Sequence, residues 1–124
     1  EKRMLSSMTP TILEKNGNLF MVVGSPGGST IISAVFQTIL NVIEFGMSIE
    51  ESVNASRFHH QWYPDEIKLE KAISKDSFLI KELKSLNHQL NFVSSMNRVD
   101  AILISNNQLF GGADNRGDDH VSFF

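Results

Sequence analysis

A glycine-rich turn at residues 24–29 (GSPGGS) is the segment best suited to chemistry in this sequence. The apolar stretch before it and the long apolar segment after it place the turn between a strand and a helix. Backbone N–H groups at a helix start are unpaired and lie at the positive end of the helix dipole, so they bind anions. No lysine follows the glycines, and their spacing differs from that of a dinucleotide turn. Two interpretations remain: an oxyanion hole formed by the amides of Gly27 and Gly28, or a tight connection into a helix.

A serine pair, Ser6-Ser7, precedes the first predicted strand. Its hydroxyls can donate to a bound carboxylate, or Ser6 can be a nucleophile. A serine nucleophile needs a base and an orienting group, and the G-x-S-x-G turn that often exposes such a serine is absent. On spacing alone, a solvated serine pair is the favoured interpretation.

Histidine and acidic residues give no pattern of a metal site. His59 and His60 are sequence neighbours, so their side chains diverge in a helix or a strand, and neither H-E-x-x-H nor a cysteine pair is present. We therefore expect packing histidines, close to the aromatic residues Phe58, Trp62 and Tyr63. The acidic tail lacks the alternating ligands and distal Glu of a calcium loop, so a solvated or locally hydrogen-bonded tail is expected. Its residues are Asp114, Asp118, Asp119 and His120.

Length and composition describe a small globular chain. Its 124 residues fit one hydrophobic core, so we expect a single unit over 1–124. With 11 basic and 14 acidic residues the net charge is −3, which gives no reason to expect a nucleic-acid partner. The sequence has no cysteine, which excludes disulfides and cysteine-ligated metals. The most apolar stretch, 31–45, contains polar residues and is too short to span a bilayer.

The elements that position the glycine turn follow from periodicity and turn residues. Asn16-Gly17 predicts a hairpin, and Ser48 with Glu51 predicts a capping box. The predicted order is strands over 11–15 and 19–23, a helix over 31–45 ended by Gly46 and buried on most of its circumference, a short helix towards Ala55, an irregular aromatic segment, a strand over 67–70, a helix over 76–86, and strands over 90–94, 99–105 and 108–110. The last two strands are joined at Asn106-Asn107. This predicts an α/β (α+β) arrangement with antiparallel pairing.

Several segments, taken together and in order, carry a family resemblance. They are residues 3–10 (RMLSSMTP), 24–29 (GSPGGS) and 57–62 (RFHHQW), with 54–55, 64–66, 111–114 and Arg116 continuing the match. In combination they closely resemble the small subunit of γ-glutamyltranspeptidases. The resemblance covers essentially the whole chain.

The resemblance implies a portion of an N-terminal-nucleophile hydrolase, a four-layer αββα sandwich made as a self-cleaving precursor. It implies that Ser6 and Ser7 bind the α-carboxylate of the glutamyl group and that the amides of Gly27 and Gly28 form the oxyanion hole. The nucleophile is the N-terminal threonine of the small subunit, and its own α-amino group can act as the base, so neither a cofactor nor a metal is expected. That threonine should lie upstream of Glu1, because we expect the chain to begin inside a longer precursor.

Further expectations concern the parent protein. Glutathione or another γ-glutamyl compound is the expected substrate, and the large subunit and the upstream part of the small subunit are the expected partners. The expected location is periplasmic, secreted or extracellular and membrane-associated. Two alternatives stay open: the same scaffold acting on poly-γ-glutamate, and a catalytically silent binding or structural module.

Overall fold

The computed structural model describes residue 2 and residues 8–122. Contacts divide the chain into two compact units, Glu1–Ala55 with Asn97–Phe124, and Ser56–Met96. The prediction of a single unit over 1–124, as the C-terminal part of the small subunit, stays a prediction.

The elements follow the predicted order closely. They are β1 (Thr11–Lys15), β2 (Asn18–Gly24), a 3-10 turn (Gly28–Thr30), α1 (Ile31–Ile43), α2 (Ile49–Asn54), β3 (Phe58–His59), β4 (Ile67–Glu70), a second 3-10 turn (Lys71–Lys75), α3 (Ser77–Ser85), β5 (Leu90–Val93), β6 (Asp100–Ser105) and β7 (Gln108–Gly112). The strand β3 was not predicted, because two residues are too few for a periodic signal.

The first unit is built on an antiparallel sheet with strand order β1-β2-β6-β7. Both hairpin predictions are confirmed. Asn16 and Gly17 have φ of 54° and 76°, and Asn106 and Asn107 have φ of 50° and 59°. These left-handed conformations give the turn the twist that two adjacent antiparallel strands require.

The core of the first unit lies between one face of this sheet and the helices α1 and α2. Strand residues Met21, Val23 and Ala101 are buried there, at alternate positions as a half-buried sheet requires. Helix residues from both helices complete the core: Ile31, Ala34, Val35, Ile49 and Val53. The capping box that starts α2 is confirmed, since Glu51 N–H donates to Ser48 Oγ and Ser48 N–H donates to a Glu51 carboxylate oxygen.

Apolar surface remains open on the outer side of α1. Ile32 is 73% exposed and Phe36 is 58% exposed, and Ile43 further along the helix is also exposed. Their spacing of four and seven residues places them on one side of the helix. Within the described residues, α1 is exposed along this one side, and its other positions are buried or half-buried, as the prediction of a helix buried on most of its circumference requires.

The second face of the sheet in the first unit is also open and apolar. Ile12, Ile102 and Leu109 are exposed on the strands β1, β6 and β7. A sheet with two apolar faces is typical of a layer with packing partners on both sides.

The second unit is a small sheet with strand order β3-β4-β5, and α3 belongs to the same unit. One parallel pair, β4 with β5, adds to the antiparallel pairing that the sequence predicted. Buried Glu70 holds the unit together: its carboxylate accepts from the backbone N–H groups of Arg57 and Met96 at 3.0 and 2.7 Å. The Arg57 guanidinium in turn donates to the Met96 carbonyl at 2.9 Å. These bonds satisfy backbone groups that the short strands leave unpaired.

Candidate functional site

The glycine-rich turn lies where the sequence placed it, between the end of β2 and the 3-10 turn that leads into α1. Gly27 has φ of 136° and Gly28 has φ of 67°. Side chains rarely adopt either conformation, so the backbone path itself favours glycine at both positions. Two consecutive peptide groups are thereby presented at the start of a helix of 13 residues.

Space around the two glycines differs. A Cβ at Gly27 would overlap the side-chain amide of Asn97, whereas a Cβ at Gly28 would meet no atom within 4 Å among the described residues. Substitution of Gly27 by a larger residue is thus opposed both by the Asn97 side chain and by its positive φ. Gly28 is restricted by φ alone, and its surroundings are open for a ligand.

The carbonyl oxygens of the turn are engaged. The Pro26 oxygen accepts from Ser25 Oγ and from Asn97 Nδ2, both at 2.9 Å. The Gly27 oxygen accepts from Thr30 Oγ1 at 3.0 Å. In contrast, the N–H groups of Gly27 and Gly28 have no hydrogen-bond acceptor among the described residues. The turn therefore offers two donors and no free acceptor on Pro26 or Gly27, which suits an oxyanion.

One ionisable group, the carboxyl of Asp100, lies on the strand next to the residue at which the turn begins, Gly24. Asp100 pairs with Gly24 in the register of β2 and β6. Burial raises the pKa of the Asp100 carboxyl above 3.8; the negative charge of Asp119 adds to this rise, and Arg98 opposes it.

Ser6 and Ser7 lie outside the described residues. The next residue, Met8, is described, and its carbonyl oxygen accepts the N–H of Ser25 at 2.8 Å. The segment that follows the serine pair is therefore hydrogen-bonded to the glycine turn.

The two adjacent histidines have separate partners, as their divergence predicted. His59 is buried and its Nε2 lies 2.9 Å from Gln61 Oε1, whereas exposed His60 lies 3.0 Å from an Asp65 carboxylate oxygen. The expected packing beside large aromatic residues is wrong for Trp62, which is 82% exposed. Among residues 2 and 8–122, no group of three His, Asp or Glu side chains is arranged to hold a metal ion.

The acidic tail is locally hydrogen-bonded, as predicted, and Asp114 is its central residue. The buried Asp114 carboxylate accepts from the Val99 N–H at 2.9 Å and from the Arg116 guanidinium at 2.9 Å. Arg116 also donates to the carbonyls of Val53 and Ala55 near the end of α2. Asp114 and Arg116 thus fix the tail to a helix end, so their role in this unit is structural.

Sequence reasoning missed the side chains that surround the glycines. Asn97 contacts the turn from a position 71 residues away in sequence, and no local pattern reports such a contact. Thr30 carried a weak signal, because threonine commonly occurs near helix starts.

Within the described part of the chain, no helix is long and apolar enough to cross a membrane.

Comparison with known proteins agrees with this fold. The sequence model of the family described as gamma-glutamyltranspeptidase matches residues 1–124. The glutathione hydrolase proenzyme of Escherichia coli is 41% identical over 122 residues, which is 98% of this chain and 21% of that protein. The corresponding proenzyme of Bacillus subtilis is 43% identical over 88 residues, which is 71% of this chain and 14% of that protein. The chain therefore spans between 14% and 21% of the length of these two curated relatives.

Solved structures give the same assignment. A Helicobacter pylori gamma-glutamyltranspeptidase is similar with a TM-score of 0.86 and 43% identity, covering 94% of this chain and 64% of that chain. The Pseudomonas nitroreducens enzyme complexed with L-DON gives a TM-score of 0.89 and 34% identity, covering 99% of this chain and 65% of that chain. A cephalosporin acylase from Bacillus halodurans, 22% identical with a TM-score of 0.77, shares the fold; it covers 87% of this chain and 20% of that chain.

The mixed α/β fold with its antiparallel sheet is that of the N-terminal-nucleophile hydrolases, as predicted. Within that class, this chain belongs to the gamma-glutamyltranspeptidase family.

Proposed function

We propose that this chain is the C-terminal part of the small subunit of a γ-glutamyltransferase that also acts as a glutathione hydrolase. The parent enzyme cleaves γ-glutamyl amides such as glutathione and transfers the glutamyl group to water or to an amino-acid or peptide acceptor. The observation that carries the proposal is the turn at Gly27-Gly28. Its two N–H groups are without acceptors among the described residues, at the start of α1, in a chain of this family.

The oxyanion hole acts when the γ-carbonyl is attacked. The carbonyl oxygen then becomes an anion, and the N–H groups of Gly27 and Gly28 donate to it. The positive end of the α1 dipole adds to this stabilisation. Because both donors belong to a fixed backbone, little reorganisation accompanies the appearance of charge.

The nucleophile belongs to the upstream part of the small subunit. The family resemblance supports an N-terminal threonine whose α-amino group accepts its proton, so no histidine base is needed. The threonine oxygen bonds to the γ-carbonyl carbon, the amine leaves with a proton, and the resulting ester is opened by water or by an acceptor amine. Ser6 and Ser7 hold the α-carboxylate of the glutamyl group during these steps.

The expected partners are the large subunit and the upstream part of the small subunit. Two exposed apolar surfaces of the first unit support the expectation of such partners. They are the outer side of α1, with Ile32 and Phe36, and the second face of the sheet, with Ile102 and Leu109. Apolar surfaces of this kind are typical of interfaces. The relatives are precursors several times longer than this chain, which supplies enough sequence to cover both.

The proposed location is the periplasm, the cell exterior or the outer side of a membrane. The family supports this proposal, and fractionation of the native cell tests it. A cytosolic parent protein would contradict it.

Substrate class is tested with the full-length parent protein. Turnover of a γ-glutamyl anilide, of glutathione and of a γ-linked glutamate oligomer should be compared at equal concentration. We expect the anilide and glutathione to be cleaved at similar efficiency, and the oligomer poorly. Preference for the oligomer would point to a poly-γ-glutamate enzyme, and absence of turnover on all three would point to a silent module.

A further inference from the structure

Each of the two peptide groups that form the proposed oxyanion hole accepts a hydrogen bond from a side chain at its carbonyl oxygen. Asn97 Nδ2 donates to the Pro26 carbonyl oxygen at 2.9 Å, and Thr30 Oγ1 donates to the Gly27 carbonyl oxygen at 3.0 Å. These carbonyls belong to consecutive peptide groups. The contacts are therefore made to the same planar units that carry the two N–H donors.

Because a peptide group is planar, a hydrogen bond that fixes its carbonyl oxygen also fixes the direction of its N–H group. In a trans peptide, the C=O of one residue and the N–H of the next lie in one plane and point in opposite directions. Holding the Pro26 oxygen therefore directs the Gly27 N–H to the opposite side, and holding the Gly27 oxygen does the same for the Gly28 N–H. Both N–H groups point away from their side-chain donors.

Such restraint is needed because glycine allows rotation of the peptide groups on either side of it. Gly27 and Gly28 lack the Cβ that limits φ in other residues, and both have positive φ. A rotated peptide would present its carbonyl oxygen where the oxyanion develops, which would repel the charge. Asn97 also restricts the turn by volume, because its amide occupies the space where a Cβ on Gly27 would lie.

The two ends of the Asn97 side-chain amide differ in their hydrogen bonding: Nδ2 donates to the Pro26 carbonyl, and Oδ1 does not accept a hydrogen bond from any described residue. Its Oδ1 is buried and has no hydrogen-bond partner among the described residues. Leaving a buried acceptor without a donor destabilises a protein. Among the described residues, the contact of Nδ2 with the Pro26 carbonyl is the hydrogen bond that this side-chain amide makes.

We propose that Asn97 and Thr30 are positioning residues of the oxyanion hole, which orient the N–H groups of Gly27 and Gly28 by holding the carbonyls of the same peptide groups. This proposal rests on the proposed function, since it assigns a role within the same site. Neither residue touches the substrate. Their removal should therefore affect transition-state binding more than substrate binding.

The variants are made in the full-length parent protein. Asn97→Gly removes the side chain without backbone strain, since Asn97 has φ of 61°. Thr30→Val removes the hydroxyl at nearly constant volume, and the Thr30 side chain makes no capping bond to α1 that would be lost. Asn87→Gly is the matched control, because Asn87 is an exposed asparagine with φ of 63° in the other unit.

Three quantities are measured on the self-cleaved protein: the single-turnover acylation rate with a γ-glutamyl anilide, its KM, and the dissociation constant of a boronic-acid analogue of glutamate, which mimics the oxyanion. We expect Asn97→Gly and Thr30→Val each to lower the acylation rate about 2- to 10-fold, as expected for one net hydrogen bond. Boronate affinity should fall by a similar factor. KM, glutamate affinity and the melting temperature should change little, and Asn87→Gly should change none of them.

The outcomes separate the two proposals. An inactive parent protein would contradict the proposed function before any variant is compared. An active parent whose Asn97→Gly and Thr30→Val variants match it in acylation and in boronate binding would overturn the positioning roles. Equal loss of glutamate and boronate affinity, or failure of both variants to fold and self-cleave, would also overturn them, because a merely structural role predicts those results.

Discussion

The backbone N–H of Ser25 donates to the carbonyl oxygen of Met8 at 2.8 Å, and Ser25 is fully buried. This bond joins the segment that follows Ser6-Ser7 to the turn that carries Gly27. A glutamyl group places its α-carboxylate and its γ-carbonyl at a limited separation. The bond therefore connects the described residue next to the serine pair, Met8, with the first residue after Gly24 in the turn, Ser25.

The first prediction concerns the serine pair. Replacing Ser6 and Ser7 with alanine in the parent protein should weaken binding of γ-glutamyl substrates by about 10- to 150-fold for each hydrogen bond lost, because a hydrogen bond to a charged group contributes roughly 1.5–3 kcal/mol. KM and single-turnover rates of a γ-glutamyl anilide measure this effect. An analogue without the α-carboxylate should be turned over equally by both proteins.

Ser94 and Ser95 provide the control, since they form a second, exposed serine pair. Their replacement with alanine should leave both substrates unaffected. Equal loss on the analogue without the carboxylate would show that Ser6 and Ser7 act in some other way.

The second prediction concerns Gly28. In the parent protein, Gly28→Val should lower the acylation rate by about 10²- to 10³-fold. Valine disfavours the φ of 67° at this position, so the backbone should rotate and direct the N–H of residue 28 away from the oxyanion. Gly46→Val is a closely matched control, because Gly46 has φ of 65° against 67° for Gly28, and neither has an atom within 4 Å of an added Cβ. Both variants therefore carry the same backbone strain.

Stopped-flow acylation and melting temperature are measured for both glycine variants. We expect similar loss of stability in the two and loss of acylation only for Gly28→Val. Normal acylation by correctly cleaved Gly28→Val would exclude this amide from the oxyanion hole.

Much of this architecture follows from local sequence. Asn16-Gly17, the Ser48 capping box and the periodicity of 31–45 each depend on neighbours along the chain, and the structure confirms all three. The exposed side of α1 could not be predicted, because an apolar stripe reports that a surface needs a partner without identifying it. The contact of Asn97 with Pro26 joins residues 71 apart and leaves no local pattern. The glycine turn was found only because φ requirements and helix-start chemistry are themselves local.

The third prediction concerns the buried ion pair of the tail. Asp114→Ala should lower the free energy of unfolding by about 3–5 kcal/mol, since it leaves the buried Arg116 guanidinium without its charged partner. Asp118→Ala is the control, because the Asp118 side chain is 97% exposed in its pair with Arg98 and should contribute at most about 1 kcal/mol. Urea unfolding of the parent protein measures both. Equal midpoints for the two variants would show that Asp114 is not structural.

The fourth prediction concerns pH and Asp100. Its pKa is raised above 3.8, chiefly by burial, so the folded state holds this proton more tightly than the unfolded state. Stability from this group is therefore lost as the pH rises through 3.8 towards the folded pKa. Asp100→Asn should raise the melting temperature at about pH 7 and lose that advantage below about pH 3.8.

The pKa of Glu51 is shifted in the opposite direction to that of Asp100, so its effect on stability has the opposite dependence on pH. Hydrogen bonds from Ser48 lower the pKa of Glu51 below 4.5, so its contribution is present above that value and is lost as the pH falls through the folded pKa. Glu51→Gln should thus be less stable than the parent near neutral pH and approach it in acid. A pH series of melting temperatures in which Asp100→Asn is less stable than the parent near neutral pH would contradict the first assignment, and one in which Glu51→Gln is more stable would contradict the second.

The last prediction concerns the 124-residue chain alone, which should have no γ-glutamyl transfer or hydrolysis activity even when folded. Ser6-Ser7 and Gly27-Gly28 supply hydrogen-bond donors, and a donor cannot attack a carbonyl carbon. The open apolar surfaces at Ile32 and Ile102 should also cause self-association, which light scattering measures. Adding the separately prepared upstream part of the parent protein should reduce association and restore cleavage of a γ-glutamyl anilide. Turnover by the purified chain alone, abolished by Ser6→Ala, would instead show that Ser6 is the nucleophile and would overturn the threonine mechanism.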